Sequence, residues 1–83
     1  MSEHVDNKRL VNKHITDSED IKLIISRCAL KAVDKQILTM ILAEKNDEGF
    51  VADTLGYSYS RLKWRFSKAL PVFVSVARQL HKL

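Results

Sequence analysis

The chain has very few of the residues that shape β-sheet proteins and disulfide-stabilised proteins. Its 83 residues include two glycines, one proline and one cysteine. So few turn residues exclude a β-sandwich, in which many short strands each need a turn. The single cysteine, Cys28, cannot form an internal disulfide, and no Cys or His surrounds it at the spacing of metal ligands. We therefore expect no cofactor and no metal, and we interpret Cys28 as a small buried residue.

Long apolar runs are missing as well. No stretch of about 18 residues is apolar throughout, and residues 1–13 lack the apolar centre of a signal peptide. We therefore expect a cytoplasmic protein with no membrane partner. The sequence also lacks paired carboxylates, a Ser/His/Asp set and a phosphate-binding loop, so we expect it not to be an enzyme.

Acidic residues are absent from the last part of the chain. All ten lie at or before Asp53, whereas the net charge of the whole chain is +4. A run of charges on a helix is usually only a solvated face. An unbalanced cluster on one helix is different, because it offers positive potential where phosphate would lie. We interpret it as a nucleic-acid footprint. The Lys and Arg residues after Thr54 are Arg61, Lys63, Arg65, Lys68, Arg78 and Lys82.

Apolar residues make up 46% of the chain and recur at helical spacing, which predicts an all-α fold. Residues 1–17 are polar and without clear periodicity, so we expect a flexible N-terminal arm. The alternative is a basic arm that reaches along DNA. Residues 18–83 would form one domain of four helices, because so short a chain cannot build a second core. A capping box formed by Thr16 and Glu19 predicts the start of its first helix, which would run to about Ala32.

A short helix, a tight turn and a second helix are predicted after residue 46. Asp47 suits the N-cap of the short helix, and Val51 and Leu55, four apart, form its apolar stripe. Gly56 ends the helix, because only glycine adopts the left-handed conformation at little steric cost. Ser58 is the next N-cap. This arrangement is the outline of a helix-turn-helix.

The second helix of this pair, residues 58–70, sorts its side chains into two faces at about 100° per residue. Leu62 and Phe66 fall on the core side. Trp64 falls almost opposite, so we expect its indole to be exposed, although a tryptophan more often lies in the core. The outward face combines hydroxyls, cations and aromatic rings, which predicts DNA contacts. The predicted DNA-binding residues are Ser58, Tyr59, Ser60, Arg61, Lys63, Trp64, Arg65 and Lys68.

The residues V-A-D-T-L-G-Y-S-x(4)-K-x-R-F-x-K-A-L, from Val51 to Leu70, resemble the region 4 helix-turn-helix of bacterial sigma-70-type factors. That family's pattern runs roughly I-A-x-x-L-G-I-S-x-x-x-V-K-x-R-L-x-R-A-L. Upstream, A-L-K-A-V-D-K-Q-I-L is similar to the stretch that leads into the preceding helix of that module. The resemblance covers roughly residues 19–70. It implies a tetrahelical domain that binds double-stranded DNA, with its recognition helix in the major groove.

The resemblance also limits the function. Tyr59, Ser60 and Trp64 replace the Arg, Glu and Gln that housekeeping factors carry at base-reading positions, so we expect a different target sequence. The chain has no room for the other regions of a complete sigma factor. We therefore expect a small transcriptional regulator of bacterial or phage type. The alternative is a protein-interaction module that binds RNA polymerase, or a sigma or anti-sigma partner.

A last helix, about residues 71–82, is predicted to begin at Pro71, because proline lacks an N–H and is tolerated in a first helical turn. Its apolar face, which includes Phe73 and Ala77, must be covered in so small a domain. It either packs back on the first helix or pairs with a second copy of the chain. A homodimer through this helix is our hypothesis.

Overall fold

The computed structural model describes the backbone from Glu3 to Leu83 and the side chains from Asn7 onward. Within these residues the fold is all-helical, with no strand, which confirms the predicted all-α class. None of the described helices is both long enough and apolar enough to cross a membrane. The helices are α1 (Glu3–His14), α2 (Ser18–Arg27), α3 (Ala32–Leu38), α4 (Glu48–Leu55) and α5 (Tyr59–Gln79).

The N-terminal segment is helical where we expected a flexible arm over residues 1–17, of which Met1 and Ser2 lie outside the described residues. The side chains of Val11 and Ile15 in and after α1 are only 0% and 3% exposed and belong to the core. α1 packs against α5. The prediction was wrong because the few apolar residues of this segment show no clear periodicity, whereas most helical stability comes from packing against the rest of the molecule.

α2 begins one residue later than the predicted capping box requires. Asp17, not Thr16, is the N-cap, and its carboxylate accepts a hydrogen bond from the Glu19 N–H at 2.9 Å. The helix also ends earlier than predicted, with Cys28 as its C-cap. The Cys28 thiol is buried and donates to the Ile24 carbonyl at 3.3 Å. Burial raises the pKa of this thiol above its ordinary value, and the charge of Lys35 opposes part of that rise. Cys28 is therefore a core residue, as expected.

α3 continues directly into a wider π-helical segment, Thr39–Ala43. The Glu44 N–H donates to the carbonyl of Thr39, five residues earlier, at 3.0 Å. Three consecutive apolar residues of this segment, Met40 to Leu42, are buried, and α2 packs against it. This helix is therefore covered on several sides, which suits a helix that is apolar over most of its circumference.

Pro71 lies inside α5 and does not begin a new helix. The predicted helices 58–70 and 71–82 are one continuous helix, for which Ser58 is the N-cap. The proline ring is exposed. Only the Ser67 carbonyl loses its donor four residues later, and on the outer side of a helix water can replace that donor. The helix therefore passes through the proline.

The apolar face of the C-terminal half of α5 is covered within the chain. Phe73 and Ala77 are buried, and α5 packs against α1, α2, α3 and α4. Beyond the helix, the Lys82 ammonium lies 3.4 Å from the Asp20 carboxylate and ties the C-terminus to α2. Covering this face therefore does not require a second copy, and the homodimer stays an untested hypothesis.

Candidate nucleic-acid interface

The first helix of the proposed helix-turn-helix has the predicted N-cap. The Asp47 carboxylate accepts hydrogen bonds from the backbone N–H groups of Gly49 and Phe50, at 2.8 and 3.2 Å. These N–H groups have no partner inside the helix, so the cap fixes where α4 begins.

The turn between α4 and α5 has the predicted chemistry. Gly56 has a φ of 76°, in the left-handed region, and the following N–H of Tyr57 returns to the Ala52 carbonyl at 2.9 Å. The Ser58 hydroxyl accepts a hydrogen bond from the Arg61 N–H at 3.2 Å and caps α5. The chain thus leaves α4 and enters α5 through three residues of defined conformation.

The first part of α5 turns its aromatic side outward. Leu62 and Phe66 are fully buried on the inner side of the helix. Trp64 and Tyr59 are 58% and 54% exposed. The prediction that the indole faces solvent is therefore confirmed, which leaves two large rings available to a binding partner.

Each of these exposed rings lies beneath a lysine ammonium from the next turn of the helix. The Lys63 Nζ is 5.3 Å from the centroid of the Tyr59 ring, and the Lys68 Nζ is 5.8 Å from that of Trp64. A cation over an exposed ring gains roughly 0.5–1 kcal/mol. The pairs therefore hold cations and flat apolar surfaces side by side on one face.

Arg65 differs from the other predicted DNA-binding residues because its charge is already paired. Its Nη1 donates to the Asp34 carboxylate of α3 at 3.0 Å, and the two side chains are only 18% and 16% exposed. Among the side chains described, from Asn7 onward, none is a hydrogen-bond partner of the buried Arg65 Nε. Arg65 therefore fastens α5 to α3 and does not present a free cation.

Tyr57, in the turn, completes this fastening. The guanidinium carbons of Arg61 and Arg65 lie 5.8 and 5.5 Å from the centroid of its half-buried ring. The ring is thus contacted by an exposed arginine and by one paired to Asp34. Tyr57 is not among the predicted DNA-binding residues, and the structure makes it a support for two side chains of α5.

The remaining seven predicted residues are exposed and lie on α5 or at its N-cap. They are Ser58, Tyr59, Ser60, Arg61, Lys63, Trp64 and Lys68. One wall of this surface is completed by a segment that sequence reasoning missed, the turn between α2 and α3. A shallow groove runs between that turn and α5. It is lined by Ala29, Leu30, Lys31, Asp34, Arg61, Trp64, Arg65 and Lys68.

α1 supports the helix-turn-helix from another side. The Lys8 ammonium lies 3.4 Å from the Glu48 carboxylate in the first turn of α4 and 5.9 Å from the ring centroid of Phe66 in α5. The Lys45 ammonium, just before α4, donates to the side-chain oxygen of Asn12 at 3.5 Å. The exposed face of α5 is therefore positioned by α1 as well as by α3.

The side chains described, from Asn7 onward, include no group of three or more His, Cys, Asp or Glu residues that could hold a metal ion. Comparisons with protein-family models, curated proteins and solved structures find no match for this chain. The resemblance to sigma region 4 therefore rests on the sequence pattern alone, and function has to be inferred from the geometry of the α5 face.

Proposed function

We propose that this protein is a sequence-specific DNA-binding transcriptional regulator that acts by binding, without catalysis. The observation that carries the proposal is the outward face of α5, where exposed Trp64 and Tyr59 alternate with cations. A helix about 10–12 Å in diameter fits the major groove, which is about 12 Å wide and displays distinguishable base edges. We therefore place the N-terminal half of α5 in the major groove of double-stranded DNA.

Phosphate contacts would fix the position of α5 on the duplex. Lys63 and Lys68 are exposed and carry their charges at the edge of the aromatic surface. The hydroxyl of Ser58 and the backbone N–H groups of the first turn of α5 would add donors for a phosphate. Such contacts supply affinity and orientation but carry no sequence information.

Base reading is assigned to Ser60, Arg61 and Trp64. Arginine pairs with a guanine edge through two hydrogen bonds, serine reaches several edges, and the indole can pack on a thymine methyl group. Each good contact discriminates against the wrong base by roughly 1–3 kcal/mol. Tyr59, Ser60 and Trp64 stand where housekeeping sigma factors carry Arg, Glu and Gln, which would give this protein its own target sequence.

A salt titration tests the electrostatic part of the proposal. Of the exposed cations of the face, Lys63 and Lys68 are assigned to phosphates and Arg61 to a base edge, while Arg65 is paired with Asp34. Two phosphate contacts predict a slope of about −1.8 for log K against log salt concentration on duplex DNA. The target is first obtained by selection from random duplexes. Binding that does not weaken with salt would contradict the proposal.

Trp64→Ala tests the contact face itself, with Phe50→Ala as the matched control. Phe50 is an aromatic residue on α4 that is 53% exposed, close to the value for Trp64. We expect Trp64→Ala to relax sequence preference and weaken the selected complex, whereas Phe50→Ala leaves both unchanged. Equal behaviour of the two variants would show that the α5 face does not contact DNA.

A second candidate is a protein-interaction module whose partner is RNA polymerase, or a sigma or anti-sigma partner. The same observation favours it, because exposed Trp, Tyr and Arg residues are enriched at the energetic centres of protein interfaces. Co-purification with polymerase by a protein that shows no quenching of Trp64 fluorescence with duplex DNA would support this candidate over the first.

A further inference from the structure

The groove beside α5 brings together residues that the helix-turn-helix pattern does not connect. Arg61, Trp64 and Lys68 form one stripe along α5, and Lys31 lies on the facing turn between α2 and α3. Lys31 is exposed, and its backbone carbonyl accepts a hydrogen bond from the Lys35 N–H at 3.0 Å at the start of α3. Its side chain is therefore accessible to a ligand.

The groove has a net positive charge once the neutral ion pair between Arg65 and Asp34 is set aside. Asp34 is the acidic residue that lines it, and its carboxylate is occupied by Arg65 at 3.0 Å. Lys31, Arg61 and Lys68 remain as cations, while Trp64 and Leu30 supply apolar surface. A concave surface with cations and an aromatic ring matches a sugar-phosphate strand, which presents anionic oxygens and an apolar sugar face.

We infer that this groove binds the sugar-phosphate backbone of one DNA strand, with Lys31 as a phosphate ligand outside the helix-turn-helix. The inference rests on the proposed function and extends it to a second element of the fold. With α5 in the major groove, phosphates border that groove on both sides. The turn between α2 and α3 faces the strand on one side, and Trp64, whose indole reads a base edge in the proposed function, also borders a sugar of that strand between Lys31 and Lys68.

The length of the stripe suits this role. From Arg61 to Lys68 the helix rises about 10 Å, at about 1.5 Å per residue. Successive phosphates of one strand are about 3.4 Å apart along the duplex axis, so a stripe of this length spans about three phosphate steps. The ion pair between Arg65 and Asp34 at its base keeps α5 and the start of α3 at a fixed separation.

Lys31→Gln tests the inference, with Lys22→Gln as the control. Lys22 is also an exposed lysine, on α2, and pairs only weakly with Glu19 at 3.8 Å. Both variants remove one positive charge, so a general charge effect is common to them. If Lys31 binds a phosphate, it adds a third contact to those of Lys63 and Lys68, so the wild-type slope of log K against log salt is about −2.7 instead of about −1.8, and Lys31→Gln reduces its magnitude by about 0.9. We expect Lys22→Gln to keep the wild-type slope and urea unfolding to be unchanged in both.

The outcomes separate this inference from the proposed function. If the wild-type protein binds duplex DNA and Lys31→Gln behaves like Lys22→Gln, the groove is not a strand site and the inference is overturned alone. If the wild-type protein does not bind duplex DNA, the proposed function fails and the inference with it. A slope reduced only in Lys31→Gln, at equal loss of charge, supports the strand site.

Discussion

Arg65 shows how one side chain can match a binding pattern and still have a different role. Its position in the sequence matches an arginine of the region 4 pattern, and the charge count treats it like its neighbours. In the structure it pairs with Asp34, which is 31 residues away in the sequence. A pairing at that separation is set by how α3 and α5 pack, so no local pattern contains it.

Breaking this pair should destabilise the fold more than breaking an exposed one. Asp34→Ala leaves a mostly buried guanidinium without its counter-charge, and hydrogen bonds to charged groups contribute about 1.5–3 kcal/mol. We expect a loss of that size in the free energy of unfolding, measured with urea. Glu19→Ala breaks the exposed pair with Lys22 and should cost less than about 1 kcal/mol.

A double-mutant cycle that combines Asp34→Ala with Arg65→Ala measures the coupling energy of the pair. It separates this energy from the stabilisation that Asp34 gives by itself to the N-terminus of α3. A coupling energy near zero between the two positions would contradict the structural role assigned to Arg65. It would also return Arg65 to the set of free cations on the α5 face.

The exposure of Trp64 and the burial of Leu62 and Phe66 could be predicted, because helical periodicity depends only on the spacing of residues within one helix. The N-caps at Asp47 and Ser58 were predictable for the same reason, since each cap acts within its own turn. Lys31 could not be placed beside Trp64 in this way. Its position depends on how the turn after α2 packs against a helix that begins 28 residues later.

Among the helices, α4 and α5 owe their relative orientation to a short turn with one required conformation. Gly56 holds a left-handed φ of 76°, and a Cβ at this position would meet no atom within 4 Å. Any cost of adding a side chain is therefore conformational and does not come from steric contact with neighbours.

The proline inside α5 is a position where the local signal does not decide the structure. Pro71 was expected to end a helix, but the packing of α5 keeps the helix continuous through it.

Replacing Gly56 should measure that conformational cost directly. Gly56→Ala places an ordinary residue in the left-handed region, which costs about 1–2 kcal/mol. Gly56→Asn should cost less, because asparagine tolerates this region better than alanine. Thermal or urea unfolding of the two variants gives the comparison. Equal stability of both variants and the wild type would mean that the turn does not keep its left-handed residue.

For the molecule as a whole, α1 changes the extent of the domain. The sequence predicts a domain over residues 18–83, but Val11 and Ile15 are part of the core and Lys8 contacts Glu48 of α4. α1 therefore belongs to the folded unit. The sequence could not show this, because the side chains of Lys8 and Asn12 in α1 bind partners 40 and 33 positions away.

A charge placed at Val11 distinguishes a packed helix from a flexible arm. Val11 is 0% exposed, so Val11→Asp buries a carboxylate without a partner. We expect a loss of at least about 2 kcal/mol in the free energy of unfolding, because buried polar groups without partners carry such costs. Lys13→Asp, at an exposed position of the same helix, is the control and should change stability little. Equal losses of stability in the two variants would indicate that this segment is a flexible arm and not a packed helix.

The continuity of α5 has a mechanical consequence. Its 21 residues form a rod about 31 Å long, at about 1.5 Å per residue. One end presents Tyr59 and Trp64, and the other, from Pro71 to Gln79, lies beside Asn7 of α1. A partner bound to the N-terminal end of α5 therefore restricts the motion of the whole helix, including the part against which α1 packs. We expect amide hydrogen exchange in α1 to slow when this distant end is occupied.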